Sequence, residues 1–350
     1  MNSNHDLLKL FAQFVQQSAN GKHKQLNGNR LRPSVVVHYQ AVYGSICSFC
    51  KINEINPKIS DMTKFGKPML LAEQKRWKKF SDSYATYLYS RGCHDNYVGT
   101  HFKVFKVFFN YISEQKRLNC EMIINCFKTI SEKIPIIVLD KEHIAFLVGN
   151  KNFEMSLTDR LKKTKDIFVV GCYVGLRFGD LMQLKKSNLE FVSGCYYLRV
   201  NSNKTGTETT IKLPEYIVAI FEKYKKLKFL LPGLSNGQLN KNVKLLCEKA
   251  GWTNIIGKQR SQLGQKKTIL KNGKAYRFCD LVTTHTMRRT AITNLLILGM
   301  PELLVRQISG HSPGSKAFYR YVTFAQNYVD TAIDKVHLAM NELITKEKNQ

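Results

Sequence analysis

The sequence lacks any run of about 18 consecutive apolar residues, which excludes a membrane-spanning helix. Its first residues, MNSNHDLLKLFAQFVQQ, contain no basic stretch followed by a long apolar region, so we expect no secretory signal. Internal repeats and low-complexity segments are also missing. Hydrophobic residues make up 43% of the chain, enough to form ordinary globular cores, which excludes a disordered chain carrying a short motif.

Acidic residues are scarce in this chain. Only 26 Asp and Glu stand against 54 Lys and Arg, which gives a net charge of +28 over 350 residues. The basic excess is spread along the whole sequence. Folded proteins rarely carry such self-repulsion without a polyanionic partner, and nucleic acid is the commonest one. We therefore expect a nucleic-acid partner, while a merely lysine-rich protein and one that docks on anionic lipid remain the alternatives.

The cysteines show no paired arrangement. There are nine, an odd and scattered set, which is typical of reduced thiols inside a cell. Cys47-Ser-Phe-Cys50 is a lone CxxC pair, and a zinc site needs a second ligand pair at suitable spacing. We interpret these cysteines as buried helix residues and expect no metal.

The apolar spacing predicts a helical first third, and the pattern changes at residues 129–140. Pro135 disfavours helix at Ile134, and Asp140 can cap a new helix, so we place a domain boundary there and expect domains at 1–134 and 135–350. The predicted helices are 6–17, one from Pro33, 71–91, 96–115, 140–150, 156–174, one from Pro214, 236–250, 284–298, 301–309 and 318–343, with a strand pair at 188–200 and 208–213. We interpret the helix 96–115 mainly as an amphipathic core helix, although His101 and the lysines could still meet phosphates on its open face.

Three clusters in the second domain carry cationic side chains suited to an anion. In GLRFGDLMQL, Arg177 follows a glycine bend and is costly to bury without an anion or an acid, for which Asp180 is the alternative partner. Lys204 lies on a predicted hairpin turn, NKTG. In HTMRRTAITNLL, His285 and Arg288 lie three apart on one helix face. Thr284 could cap this helix, and Leu298 is expected to face the core. A solvated lysine and a core histidine are the ordinary alternatives.

The fourth cluster follows the predicted helix 301–309, where Gly310 can end the helix and His311 comes next. Two tyrosines follow, although tyrosine ionises only near pH 10 and is a poor nucleophile unless it is activated. A helix over 318–333 places Tyr319 and Tyr321 roughly 200° apart, so only one of them can face a site. Tyr321 shares its face with apolar residues, whereas the face of Tyr319 is polar.

The order of these elements resembles that of the tyrosine recombinases, the phage integrase family. Arginine, hairpin lysine, His-x-x-Arg, Gly-His and tyrosine follow one another in GLRFGDLMQL, NKTG, HTMRRTAITNLL, ISGHSPG and the tyrosine helix, over roughly residues 139 to 335. The resemblance implies a mainly helical protein with a small antiparallel β-sheet. It implies a helical, SAM-like DNA core-binding domain followed by an α+β catalytic domain, in a short form without a separate arm-binding domain.

The resemblance also implies a role for each residue. Arg177 and Arg288 would clamp the scissile phosphate, since paired guanidiniums stabilise the charge that develops there. His285 would assist removal of the proton from the tyrosine, and His311 would donate to the phosphate. Asp180 matches an acidic position that would brace the arginine helix.

By the same resemblance, Lys204 would protonate the departing 5′ oxygen, and a tyrosine would form a 3′-phosphotyrosyl intermediate without ATP, metal or another cofactor. Many relatives have this nucleophile nine residues after the histidine, whereas Tyr319 and Tyr321 lie eight and ten residues after His311. We nominate Tyr321 because of its apolar face and the valine that follows it, with Tyr319 as the alternative.

The implied activity is site-specific integration or excision of a mobile element. Its partners would be a double-stranded DNA recombination site, three further copies of the chain in a DNA-bound tetramer and, in some systems, an accessory DNA-bending protein, with no membrane involved. A bacterial host, with the protein in the cytoplasm on the nucleoid, follows from that role. A type IB topoisomerase-like enzyme and a catalytically silent DNA-binding relative remain the alternatives.

Overall fold

A computed structural model of the chain describes residues 4–25, 27–63, 65–132, 134–201, 208–312 and 314–348. Helices dominate the fold, and the described strands form three small antiparallel sheets, which confirms the expected fold class. The chain divides into two compact units, one of Met1–Ile134 with Gln259–Ile269 and the other of Pro135–Lys258 with Leu270–Gln350. None of the described helices is long and apolar enough to cross a membrane.

The helices and strands are numbered along the chain. The first are β1 (Asn4–Asp6), α1 (Leu7–Ala19), α2 (Pro33–Ile52), β2 (Lys58–Ser60), α3 (Lys67–Ser90), α4 (Asp95–Lys116) and α5 (Glu121–Cys126). Next come α6 (Lys141–Gly149), α7 (Lys151–Ser156), α8 (Asp159–Val174), α9 (Phe178–Leu181), β3 (Leu189–Val192), β4 (Cys195–Asn201) and β5 (Glu208–Leu213). The last are α10 (Glu215–Lys223), α11 (Asn236–Lys249), β6 (Gln259–Gln262), β7 (Gln265–Thr268), α12 (Phe278–Leu281), α13 (Thr284–Ile297), α14 (Glu302–Ser309) and α15 (Lys316–Lys348).

The core of the first unit is aromatic and lies among α1 to α5. Its fully buried side chains include Phe11, Trp77 and Phe105. His101 belongs to the same core, because on α4 it precedes Phe105 by one helical turn. It is 1% exposed, and its Nδ1 lies 2.8 Å from the hydroxyl of Tyr84. Burial lowers the pKa of His101 to about 4, with a smaller contribution from His38. The expectation that His101 faces phosphates was therefore wrong.

A hairpin that the sequence patterns did not predict, β6–β7, is part of the first unit. Its turn, at Leu263 and Gly264, has positive φ angles of 55° and 75°, and both backbone N–H groups donate to the carboxylate of Asp95 at 2.9 and 3.1 Å. The Tyr89 hydroxyl donates to the same carboxylate at 2.8 Å. Three donors thus satisfy the charge of Asp95, which is only 2% exposed.

Substitution Asp95→Ala is expected to loosen this hairpin. It leaves two backbone N–H groups and a phenol without their acceptor, so we expect a loss of about 2 to 4 kcal/mol in the free energy of unfolding. Urea denaturation measures the loss, and hydrogen exchange should show faster exchange at Leu263 and Gly264. Asp82→Ala, on the exposed side of α3, is the matched control and should change stability by less than about 0.5 kcal/mol. Unchanged exchange at the turn would show that Asp95 does not hold it.

The core of the second unit is built around α8, which packs against α13. The two helices approach closely at Gly171, where a Cβ atom would lie only 2.5 Å from the Sδ of Met287. The residues after α8 turn back into this core, and Leu181 and Leu184 are both buried. The close packing fixes the end of α8 relative to the start of α13, the two places that carry the candidate arginines.

A three-stranded sheet in the order β3-β4-β5 lies in the second unit. The single strand expected over 188–200 was wrong, since Ser193 and Gly194 adopt positive φ angles of 50° and 78° and turn the chain between β3 and β4. Such angles at both central residues are those of a tight hairpin turn. Strands β4 and β5 pair up to Asn201 and Glu208. The predicted turn NKTG and Lys204 lie in 202–207, outside the described residues.

Two details of α13 differ from the sequence expectation. Thr283, rather than Thr284, precedes the helix, and its N–H donates to the hydroxyl of Thr286 at 3.0 Å. Thr284 instead donates through its hydroxyl to the side chain of Asn236 on α11, at 2.8 Å. Leu298, expected in the core, follows the last residue of α13 and is 76% exposed. The apolar period of the sequence continues past the point where the helix ends.

Candidate active site

The first part of the site lies where α8 meets α13. Helix α8 ends at Gly175, whose φ of 65° is the left-handed conformation that glycine adopts without strain. Arg177 follows, directly before the one-turn helix α9. The guanidinium of Arg288, on α13, donates from Nη1 to the carbonyl of Gly175 at 3.0 Å. Arg288 therefore holds the bend that leads to Arg177.

Arg288 is a buried cation, only 3% exposed. Burial lowers the pKa of its guanidinium to about 10, and the like charge of Arg177 acts in the same direction. Tyr321 and Asp180 raise that pKa, so both lie close enough to interact electrostatically with the guanidinium. Asp180, at 7% exposure, is buried beside the arginines, as a bracing residue would be. Two neighbouring cations, Arg288 buried and Arg177 half-buried, form a site that favours an anion.

The second part of the site is the loop after α14. Gly310 ends the helix with a φ of 58°, as predicted, and the N–H of His311 donates to the carbonyl of Arg306 at 3.0 Å. Ser309 fixes the ring of His311. Its hydroxyl donates to the carbonyl of Val305 at 2.7 Å, so its oxygen accepts from Nδ1–H of His311 at 2.8 Å. Nε2 of His311 is then the acceptor for Nη2 of Arg288, 3.3 Å away.

Both candidate histidines are neutral near pH 7. Burial lowers the pKa of His311 to about 3, and Arg288, Arg177 and His285 lower it further in that order. His285, in the first turn of α13, retains an exposed surface, yet partial burial and then Arg289, Arg288 and Arg177 lower its pKa to about 4. Burial and, to a smaller extent, the neighbouring arginines thus keep both imidazoles unprotonated.

The two tyrosines of α15 face different surroundings. Tyr321 is 6% exposed, and its ring centroid lies 6.0 Å from that of His311. It belongs to a small apolar cluster with Val305 and Phe318. Tyr319 is 47% exposed, and its hydroxyl accepts from Nη2 of Arg306 at 3.4 Å. The predicted orientation of the pair is therefore confirmed, whereas the catalytic choice between them stays a prediction.

The structure brings five predicted site residues into one neighbourhood of the second unit, Arg177, His285, Arg288, His311 and Tyr321. Sequence reasoning missed Ser309, whose position two residues before His311 was the only signal that it could orient the ring. The described residues include no group of three or more histidine, cysteine or acidic side chains that could hold a metal ion. Cys47 and Cys50 are free thiols on α2.

Comparison with known proteins gives a family profile and several similar folds. The sequence profile of the phage integrase family matches residues 154–327. Among solved structures, the XerH site-specific recombinase bound to a palindromic difH substrate, in a post-cleavage complex, has a TM-score of 0.60 and 14% identity over 95% of this chain and 99% of its own. A lambda integrase dimer bound to a COC′ core site has a TM-score of 0.58 and 12% identity, over 91% and 77%.

The integrase of transposon Tn1549, in complex with circular intermediate DNA, has a TM-score of 0.57 and 14% identity, over 91% of this chain and 95% of its own. No curated protein matches the chain by sequence. Fold and family profile together define an enzyme of the tyrosine site-specific recombinase class. The chain belongs to the phage integrase family.

Proposed function

We propose that this protein cleaves and rejoins DNA strands at a specific site through a 3′-phosphotyrosyl intermediate, and so integrates or excises a mobile element. One observation carries the proposal: Tyr321 on α15 lies beside His311, Arg288 and Arg177, which come from three other segments of the second unit. Each of these side chains has a defined task in phosphoryl transfer.

The scissile phosphate binds between Arg177 and Arg288. Attack on a phosphodiester builds charge on the non-bridging oxygens, and two guanidiniums stabilise it through charge-assisted hydrogen bonds. Arg288 is already held in place by the carbonyl of Gly175, so little reorganisation precedes the reaction. The energy needed to place the buried Arg288 beside the half-buried Arg177 is offset when the anion enters.

Proton transfers accompany the attack. The phenol of Tyr321 attacks phosphorus while His285, neutral at pH 7, helps to remove its proton, and the 5′ oxygen leaves with a proton supplied by Lys204. His311 can donate to the phosphate once Nε2 carries a proton, and a bound phosphate favours that protonation. The phosphodiester bond is exchanged for a phosphotyrosyl bond, so the return attack by a 5′ hydroxyl needs no separate energy source.

The two domains divide the work on DNA. We assign DNA core binding to residues 1–134 and catalysis to residues 135–350. Strand exchange between two sites requires four copies of the chain on DNA, with an accessory DNA-bending protein in some systems, and it takes place where the DNA is, on the bacterial nucleoid in the cytoplasm. The net charge of +28 supports a large polyanionic partner.

Trapping on a nicked suicide substrate tests this function. The duplex carries the inverted repeats that flank the gene, with a nick that lets the short strand leave after cleavage. The full chain is expected to form a covalent adduct that survives denaturation, and peptide mapping is expected to place it on Tyr321. Absence of any adduct on DNA that the protein binds would indicate a silent DNA-binding relative. Relaxation of supercoiled plasmid without the repeats would indicate a topoisomerase.

A further inference from the structure

Arg306, on α14, contacts the first turn of α15 through its side chain. Its guanidinium carbon lies 5.2 Å from the ring centroid of Phe318 and 5.5 Å from that of Tyr319. Nη2 also donates to the hydroxyl of Tyr319 at 3.4 Å and forms an ion pair with Glu302, one turn earlier on α14. The charged group is thus held between an acid of its own helix and two aromatic rings of the next.

The same residue holds the histidine loop through its backbone. The carbonyl of Arg306 accepts from the N–H of Gly310 and from the N–H of His311 at 3.0 Å. Phe318 completes the connection, because it is fully buried and its ring centroid lies 5.3 Å from that of His311 and 6.5 Å from that of Tyr321. One arginine therefore contacts both the loop that carries His311 and the helix that carries Tyr321.

The rotation of α15 about its axis decides which tyrosine faces the site. Tyr319 and Tyr321 point roughly 200° apart on the helix, so a rotation would exchange a buried phenol for an exposed one. Only residues 312–315 join His311 to α15, and Gly314 in this connection has a positive φ of 71°. So short a link limits where the helix starts, but it does not by itself set the rotation.

We propose that Arg306 is a positioning residue. Its contact with Tyr319 sets the rotation of α15, so that Tyr321 faces His311 and Arg288. The inference rests on the proposed function, in which Tyr321 is the nucleophile. The guanidinium over the Tyr319 ring and its hydrogen bond to the Tyr319 hydroxyl together fix both the position and the direction of the first turn. A lysine cannot reproduce this contact, since its ammonium group has neither the planar shape nor the paired N–H donors of a guanidinium.

Single-turnover cleavage of the suicide substrate, at saturating DNA, tests the proposal. Arg306→Ala is expected to lower the cleavage rate about 10- to 100-fold, because displacement of a reacting group by about 1 Å has that effect. The Kd for DNA should change less than about twofold, since Arg306 acts on the nucleophile and not on the phosphate. Arg306→Lys should recover only part of the rate.

Variants of the partner residue separate stacking from hydrogen bonding. Tyr319→Phe keeps the ring, and its cleavage rate should fall about twofold to fivefold. The loss of rate in Tyr319→Ala should approach the loss in Arg306→Ala. In the double variant Arg306→Ala/Tyr319→Ala the losses should not multiply, because both substitutions remove the same contact. Arg160→Ala is the matched control, an exposed arginine about 20 Å from the C-terminal end of α8, and should cleave at the parent rate.

The outcomes are decisive in either direction. If Arg306→Ala binds DNA and cleaves at the parent rate, or if the two losses multiply independently, Arg306 does not position the helix. A rate loss that merely follows a loss of thermal stability or of DNA affinity overturns the proposal in the same way. An unsubstituted chain that forms no adduct at all would instead contradict the proposed function, and the two failures are therefore distinguishable.

Discussion

Substitution Tyr321→Phe is expected to abolish formation of the covalent adduct with suicide DNA, with a loss of more than about 1000-fold in cleavage. Phenylalanine has no oxygen that can attack phosphorus, and it retains the ring that packs beside Phe318 and Val305. The fold and the DNA affinity should therefore remain. Denaturing gel electrophoresis measures the adduct, and fluorescence anisotropy on the same DNA measures the Kd.

The neighbouring tyrosine supplies the matched control. Tyr319→Phe removes a hydroxyl from the exposed face of α15 and should still form the adduct, with only the small loss expected from its contact with Arg306. The opposite pattern, an adduct that persists in Tyr321→Phe and disappears in Tyr319→Phe, would show that the nucleophile was assigned wrongly. The two variants thus decide which of two tyrosines, on different faces of α15, is the nucleophile.

Substitution of Arg288 has the second large expected effect, a loss of cleavage activity without a loss of thermal stability. Arg288→Met removes a charge that stabilises the transition state, so the cleavage rate should fall about 100- to 1000-fold or more. It also removes a cation buried beside Arg177 and replaces it with an apolar side chain of similar volume. The substitution relieves the like-charge repulsion with Arg177, which lowers the pKa of Arg288. We therefore expect the DNA-free variant to unfold at the same or a higher temperature than the parent.

Differential scanning calorimetry and single-turnover cleavage measure the two effects on the same preparation. Arg288→Lys keeps the charge but cannot form paired hydrogen bonds, and should remain severely impaired. Arg160→Ala again serves as the control, since it removes an arginine from the same unit outside the site. A strong loss of thermal stability in Arg288→Met would contradict this expectation. It would mean that the hydrogen bond to Gly175 stabilises the fold by more than burial of the charge destabilises it.

Local patterns account for much of what was predicted correctly. Helix periodicity and capping residues located most of the helices. The glycine at position 310, directly before His311, predicted the left-handed conformation that ends α14. The apolar face of α15 assigned Tyr321 to the interior. The errors also have local causes. Apolar spacing cannot show that a Ser-Gly turn divides one strand into two, or that a helix stops before Leu298.

Contacts distant in sequence could not be read in this way. The hairpin β6–β7 binds Asp95, about 170 residues earlier, through backbone N–H groups that carry no sequence signature. The sequence left His101 free to meet phosphates on the open face of its helix, but the aromatic core of the first unit encloses it. The role of Ser309 depends on a hydroxyl whose direction is set by the carbonyl of Val305.

The sequence by itself determined the helical class, the basic character and the order of arginine, histidine and tyrosine along the chain, because periodicity, charge and spacing are properties of neighbouring residues. Only the tertiary structure decided that Arg288 is buried against the carbonyl of Gly175, that His311 is its acceptor, and that Arg306 lies between the histidine loop and the tyrosine helix. These contacts join segments that lie far apart in the sequence, and the packing of α8, α13, α14 and α15 brings them together.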